Sequence, residues 1–362
     1  GGVPKSSGLT GSALFKSLIL CYNQLCRRAG RVAVRPLPTL ERKGEADMKQ
    51  GYIFIAIATI MFSTFEVALK YIAGEINSVQ LTFARFFIGF LFLAPLAWRT
   101  LKKRGLSLDR KSVAYFALLG LVGIAICMPI YQLSVNYVDS GVVAVLFSCN
   151  PVFVTFLAFL FLGEAIRGRH IAALVLEVLG TVAIINPFET RLDPFGVVLA
   201  LAATILFAIY GVMGKKKVAQ FGGSVVTCFG FLFGSLIILV FIGLTHIPAA
   251  AQAITAAGLP AFANIPLFAG YTLENLPVVL YVSAGVAGVG FCAYFMAMEY
   301  QPASIVSLVY FFKPALSPVL AWALHGEEIP LNMLLGIILI VAGSFCAIVP
   351  GVIETKRGVA FS

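Results

Sequence analysis

Apolar runs of about 20 residues recur along this chain, each long enough to cross a ~30 Å hydrocarbon core as a helix. In lipid every backbone N–H and C=O must be satisfied inside the protein, so such runs fold as helices packed into a bundle. Ten spans are predicted after Met48, at roughly 51–73, 79–98, 113–135, 139–162, 170–187, 195–214, 224–244, 277–298, 302–324 and 331–350. The loops between them are short, except for 245–275. That segment is punctuated by Pro and Gly and reads as an interfacial loop carrying a short amphipathic helix. The chain is 60% hydrophobic and 12% charged, about half the ~25% charge of a soluble domain. The expected fold class is all-α, a polytopic membrane protein.

Charge then sets orientation. Residues 1–47 hold eight basic and three acidic residues, a net +5 out of the chain's +10. This Arg-, Ser- and Pro-rich stretch is set outside the fold, as an upstream segment before a start at Met48 or an Arg-rich targeting presequence. With the N-terminus inside, Arg99, Lys102, Lys103, Arg104, Arg110, Lys111, Arg167, Arg169, Lys215, Lys216 and Lys217 fall in cytoplasmic loops, and Lys356 and Arg357 in a cytoplasmic tail, 353–362. Both termini are therefore expected to be cytoplasmic in a bacterial or archaeal cell membrane. The basic balance reports membrane topology and gives no reason to expect nucleic acid.

An offset of 163 aligns two stretches without a gap. Tyr131 meets Tyr294, Tyr137 meets Tyr300, Pro151 meets Pro314, Gly163-Glu164 meets Gly326-Glu327, Gly180 meets Gly343 and Pro187 meets Pro350. An offset of 145 weakly pairs Gly51 with Gly196, Lys70 with Lys215, Thr82 with Thr227 and Gly89 with Gly234. The reading is two five-helix repeats, 48–190 and 191–352. Five is odd, so the second copy enters the membrane from the opposite side, as in transporters with a midplane site at the repeat interface.

Ten spans as five plus five, a Gly-Glu pair closing the fourth span of each half, and the stretch FSTFEVALKYIAGEINSVQLTFARFFIGFLFLAPL resemble the EamA domain of the drug/metabolite transporter superfamily. The resemblance covers about 50–350. It implies export or uptake of amino acids, metabolites or drugs, usually without ATP, and leaves the substrate open. Lys70 and Arg85 fall where the family commonly has a lysine and an arginine. Glu66 departs from the apolar or small residue expected there, so any role for it belongs to this sequence.

An ionisable group at a helix centre costs about 2.5–3.5 kcal/mol on insertion scales and persists where it faces a cavity or a partner. Lys313 stands mid-span in YFFKPALSP, with Tyr310 and Ser317 on its side of the helix. Pro314 and Pro318 each remove a backbone donor there, freeing carbonyls. The equivalent place in the first half is Asn150-Pro151. Lys313 is read as a contact for a carboxylate or similar anion, against an ion pair with Glu177 that locks two helices. Glu66 shares a face with Thr59, Ser63 and Lys70. It is read either as a proton carrier, since desolvation raises a carboxylate's pKa, or as the partner of Lys70. Glu177, whose repeat partner is Ile340, is a second proton-coupling candidate or a structural partner of Lys313 or Arg85. Arg85 is a substrate contact or a side chain snorkelling to the interface. Tyr294 completes the candidate substrate site. Glu164 and Glu327 are read as structural, capping the following helix or holding a loop. Glycines 120, 123, 285, 288 and 290 are read as close-packing positions.

The expected activity is secondary active transport of a small organic solute, an amino acid or related metabolite, in the efflux direction by alternating access, with H+ as a candidate coupling ion. Two alternatives stand beside it. An organic-cation exporter of the same fold would use Glu66 with Phe62, Phe65, Tyr294 and Tyr310, and Lys313 opposes it. An integral-membrane enzyme lacks any HExxH, nucleophile elbow or P-loop motif to support it. Seven cysteines show no disulfide pattern, and Cys21 and Cys26 have no second pair at metal-ligand spacing. No cofactor or metal is expected. The sequence allows a homodimer without requiring one.

Overall fold

The computed structural model describes residues 45–356, except 73, 136, 139, 167, 186–192 and 326–329. The expectations for residues 1–44 and for Glu327 lie outside the described residues. The described chain is helical throughout, with no strand among the described residues. It runs α1 (Glu45–Ser63), α2 (Phe65–Lys70), α3 (Ser78–Arg104), α4 (Arg110–Gly120), a π-helical stretch Leu121–Ile126, α5 (Cys127–Ser134), α6 (Ser140–Ser148), α7 (Asn150–Leu162), α8 (Gly168–Ile185), α9 (Pro194–Phe221) and α10 (Gly223–Thr245). Then follow α11 (Pro248–Ala256), α12 (Leu276–Leu280), a second π-helical stretch Tyr281–Phe291, α13 (Cys292–Tyr300), α14 (Ala303–Val306), α15 (Val309–His325) and α16 (Leu331–Lys356).

Seven helical stretches are long and apolar enough to cross a membrane: Asp47–Leu69, Ser78–Arg104, Arg110–Ser134, Val145–Leu162, Pro194–Phe221, Gly223–Thr245 and Leu276–Tyr300. Three shorter apolar helices, Ile171–Ile184, Ala303–Lys313 and Leu331–Gly343, lie where the other three spans are expected. The 245–275 loop carries the expected short helix, α11, and a 3-10 turn at Pro260–Phe262.

Local chemistry sets the boundaries. Asn77 Oδ1 accepts the N–H groups of Val79 at 2.9 Å and Gln80 at 3.3 Å and starts α3. Gly105, at φ +63°, ends it in the left-handed conformation, which glycine adopts without Cβ strain. The second span therefore runs past the expected residue 98. Its last turn carries Lys102, Lys103 and Arg104, whose aliphatic stems extend the apolar surface while their charges reach water. Asp109 caps α4, accepting the Ser112 N–H at 3.1 Å. Hydrogen bonding from Ser112, through its side chain and then its backbone, holds that carboxyl below its usual range.

The first, fourth and ninth spans are broken. The breaks fall at Thr64, Cys149 and Ser307–Leu308. Around Cys149 the backbone tightens, with Cys149 N–H bonded to Leu146 and Val152 N–H to Cys149, because Pro151 has no N–H to continue the α-helical ladder.

Helix neighbours recur in a reciprocal pattern. A Cβ added at Gly51 would lie 2.8 Å from Gln301 and 2.9 Å from Tyr300. At Gly196 it would lie 2.4 Å from Val138 and 2.7 Å from Tyr137. At Gly180 it would meet the Gly336 carbonyl at 2.7 Å, and at Gly343 the Ala173 carbonyl at 2.9 Å. The offsets of 145 and 163 convert one member of each pair into the other. Gly120 packs equally closely, 2.6 Å from the Gly230 carbonyl. The same offset of 163 brings Leu121–Ile126 into register with part of the π-helical stretch Tyr281–Phe291.

Candidate functional site

The three helix breaks place the candidate residues. Thr64, at the first, donates to the Met61 carbonyl at 2.9 Å and shares a 2.6 Å hydrogen bond with the Tyr281 hydroxyl. Ser63 precedes that break and Phe65 follows it. Asn150 follows the second. At the third, the N–H groups of Leu308, Tyr310 and Phe311 each bond three residues back, and one helical turn on from this tightened backbone stands Lys313.

Aromatic rings join these elements. Phe62 stacks on Tyr310 with centroids 5.5 Å apart. Tyr294 meets Tyr310 edge-on at 5.7 Å, and Phe207 and Phe147 close on Tyr310 at 5.2 and 6.0 Å. Beside this box two buried cations lie by one further ring, Phe65. Lys313 Nζ lies 5.9 Å from the Phe65 centroid, and the Arg85 guanidinium lies 4.5 Å from the same centroid and 4.6 Å from that of Phe86. Arg85 Nη2 is 3.7 Å from Met128 Sδ. The side chains are only 8% (Lys313) and 7% (Arg85) exposed, so Arg85 does not snorkel to the surface. Each cation–π contact contributes about 0.5–2 kcal/mol, offsetting part of the cost of burying charge.

Unmet polar atoms surround the rings. Ser63 Oγ, Asn150 Oδ1 and the hydroxyls of Tyr210, Tyr294 and Tyr310 are buried with no hydrogen-bond partner among the described residues. Asn150 does donate through Nδ2 to the Thr204 carbonyl at 3.2 Å. Tyr210 joins the box through Phe207, 5.5 Å away. An unmet buried polar atom costs about 1–3 kcal/mol. Five of them lie on five different spans, and three are hydroxyls of the tyrosines in this aromatic cluster; unmet buried polar groups of this kind call for a partner such as ordered water.

Glu66 lies in α2 and Ser317 in α15, and their side chains fall outside the described residues. Glu177 is fully buried in the seam between α8 and α16, its Cγ 2.8 Å from where a Gly343 Cβ would stand. It occupies the place that Ile340 takes opposite Gly180. Of the two structural roles expected of Glu164, it fills the one of holding a connecting segment: its carboxylate accepts the N–H groups of Ala303 and Ser304, 139 and 140 residues away. Phe147, Phe207, Tyr210 and Met128 were not foreseen. Tyr210 carries one faint signal, its adjacent Gly211, where a Cβ would come within 3.0 Å of the Tyr294 hydroxyl.

Long apolar helices that bury cations and unmet polar groups mark a polytopic membrane protein. The chain belongs to the EamA-like transporter family, whose pattern it matches over residues 49–186 and 194–349. An uncharacterized transporter of Clostridium kluyveri is 33% identical over 305 residues, covering 82% of this chain and 92% of the relative. Protein PagO of Salmonella typhimurium is 24% identical, covering 82% of this chain and 92% of the relative. A crystal structure 18% identical superposes with a TM-score of 0.64, covering 83% of this chain and 98% of that one, which shows the shared fold. The family and the Clostridium kluyveri relative are both described as transporters, in keeping with the apolar spans of a multi-pass membrane protein.

Proposed function

We propose that this chain is a secondary active transporter that moves a small carboxylate-bearing solute, an amino acid or related metabolite, out of the cell by alternating access. The observation that carries this reading is that Arg85 and Lys313, from the second and ninth spans, both stand by the Phe65 ring in a chain that also buries unmet polar atoms on five spans. A guanidinium and an ammonium beside one ring suit a carboxylate, which accepts charge-assisted hydrogen bonds from both. Glu66, with Glu177 as the second candidate, carries the coupling proton in this scheme. The chain is read as ten helices in two inverted repeats, 48–190 and 191–352, with both termini cytoplasmic; the reciprocal glycine contacts support this arrangement.

The test is uptake of radiolabelled L-amino acids into proteoliposomes at clamped pH and voltage. Removing one cation with Lys313→Ala raises KM about 10–100-fold, the loss of roughly one hydrogen bond to a charged group. Full transport with unchanged KM in that variant removes the lysine from the site and overturns the reading.

A further inference from the structure

The segment Met298–Ser304, which turns from α13 into α14, is gripped from several sides. Glu164, after α7, accepts the Ala303 N–H at 2.7 Å, the Ser304 N–H at 3.1 Å and the Ser304 hydroxyl at 2.7 Å. Lys215, on α9, donates to the carbonyls of Met298 and Gln301, the latter at 2.7 Å. Glu299 pairs with Arg104, at the end of α3, at 2.6 Å and accepts the Gly223 N–H at 2.6 Å. Arg104 also donates to the carbonyls of Ala219 and Gln220 at 3.3 and 3.4 Å. The end of the molecule where these groups meet also carries Arg99, Lys102, Lys103, Arg110 and Lys111.

We propose that this knot is the latch closing the basic end of the transporter, with Glu164 as its positioning residue. The inference rests on the transporter reading. Three features suit a latch. Its Glu164 and Arg104 contacts join the first half of the chain to the second, so parting the halves at that end breaks them. Glu164 holds α14, a single turn set off from α15 by the break at Ser307–Leu308, so the turn can release without unwinding the span that carries Tyr310 and Lys313. The Arg104 and Glu299 side chains are 32% and 20% exposed, so water competes for them and the closure is reversible.

The test reads access from the basic end without any solute, so it fails or succeeds independently of the substrate assignment. Full-length protein lacking its seven native cysteines receives Ser307→Cys, a buried position one turn inside the latch, or Ser283→Cys, a buried control on the far part of the eighth span. Alkylation by N-ethylmaleimide is timed in vesicles that expose the basic end. Glu164→Ala speeds labelling at 307 about tenfold, the equivalent of roughly 1.4 kcal/mol, and leaves 283 unchanged. Ser304→Ala, which removes one of three contacts, speeds it about two- to threefold. An unchanged rate at 307 in folded Glu164→Ala protein overturns the latch, as does an equal rise at both positions, which means general loosening. Where Glu164→Ala does not fold, Ser304→Ala decides alone: a rise confined to 307 supports the latch and no rise overturns it.

Discussion

Replacing Gly180 and Gly343 by alanine tests the reciprocal packing of α8 and α16. A Cβ at Gly180 would stand 2.7 Å from the Gly336 carbonyl and 2.7 Å from Ile340 Cγ1; at Gly343 it would stand 2.9 Å from the Ala173 carbonyl and 2.8 Å from Glu177 Cγ. Restoring an ordinary 3.4 Å contact with those carbonyls parts the backbones by about 0.7 Å and about 0.5 Å respectively. Overpacking of this kind costs about 1–3 kcal/mol, offset by the ~0.8–1.0 kcal/mol that alanine gains over glycine in a helix. The net loss is about 0–2 kcal/mol, and similar at the two sites. Gly243, where nothing lies within 4 Å of the added atom, is the control, and its alanine variant gains up to ~1 kcal/mol. Unfolding in mixed micelles titrated with dodecyl sulfate, followed by the fluorescence of Trp98 and Trp322, measures all three. Either seam variant as stable as Gly243→Ala, or a loss at one seam site without the other, refutes the reasoning.

Two further outcomes are expected. The cap at Asp109 is pH-dependent: its carboxyl titrates below the usual 3.8 in the folded protein, so its stabilisation is complete above that value and is lost as pH falls through the lower, folded value. The stability difference between the parent and Asp109→Ala shrinks accordingly in unfolding curves taken towards acid pH. Asn77 both caps α3 and donates through Nδ2 to the Ala261 carbonyl at 3.0 Å. Asn77→Ala therefore loses about 0.5–2 kcal/mol and speeds proteolysis within 245–275, whereas Asn77→Asp keeps the cap and loses only the tie to the loop.

The helical class and the positions of seven long apolar helices were legible because lipid leaves an apolar run of that length little alternative to helix. The offsets of 145 and 163 were legible for a different reason: Gly51, Gly89, Gly180, Gly196, Gly234 and Gly343 sit where a neighbouring segment approaches closely, and a close approach tolerates little but glycine. The breaks at Thr64 and Ser307–Leu308 were not legible, because no proline stands at either and the tightened turns depend on neighbouring helices. Lys313 and Arg85 each stood out as charge in oil, yet that both stand by Phe65 depends on which helices are neighbours, and helical periodicity carries no such information. Glu164 was placed correctly at a helix end, but the amides it serves belong to a segment its own sequence neighbourhood does not specify.

That last contact has a consequence for how the protein is made. The carboxylate at 164 leaves the ribosome 139 residues before the Ala303 amide that receives it, a wait of roughly 7–30 s at ~5–20 residues per second. Gly51 waits longer still for Tyr300 and Gln301. These contact surfaces on the first half of the chain must therefore stay uncovered until translation is nearly done, and the newborn protein matures by interlocking early and late segments.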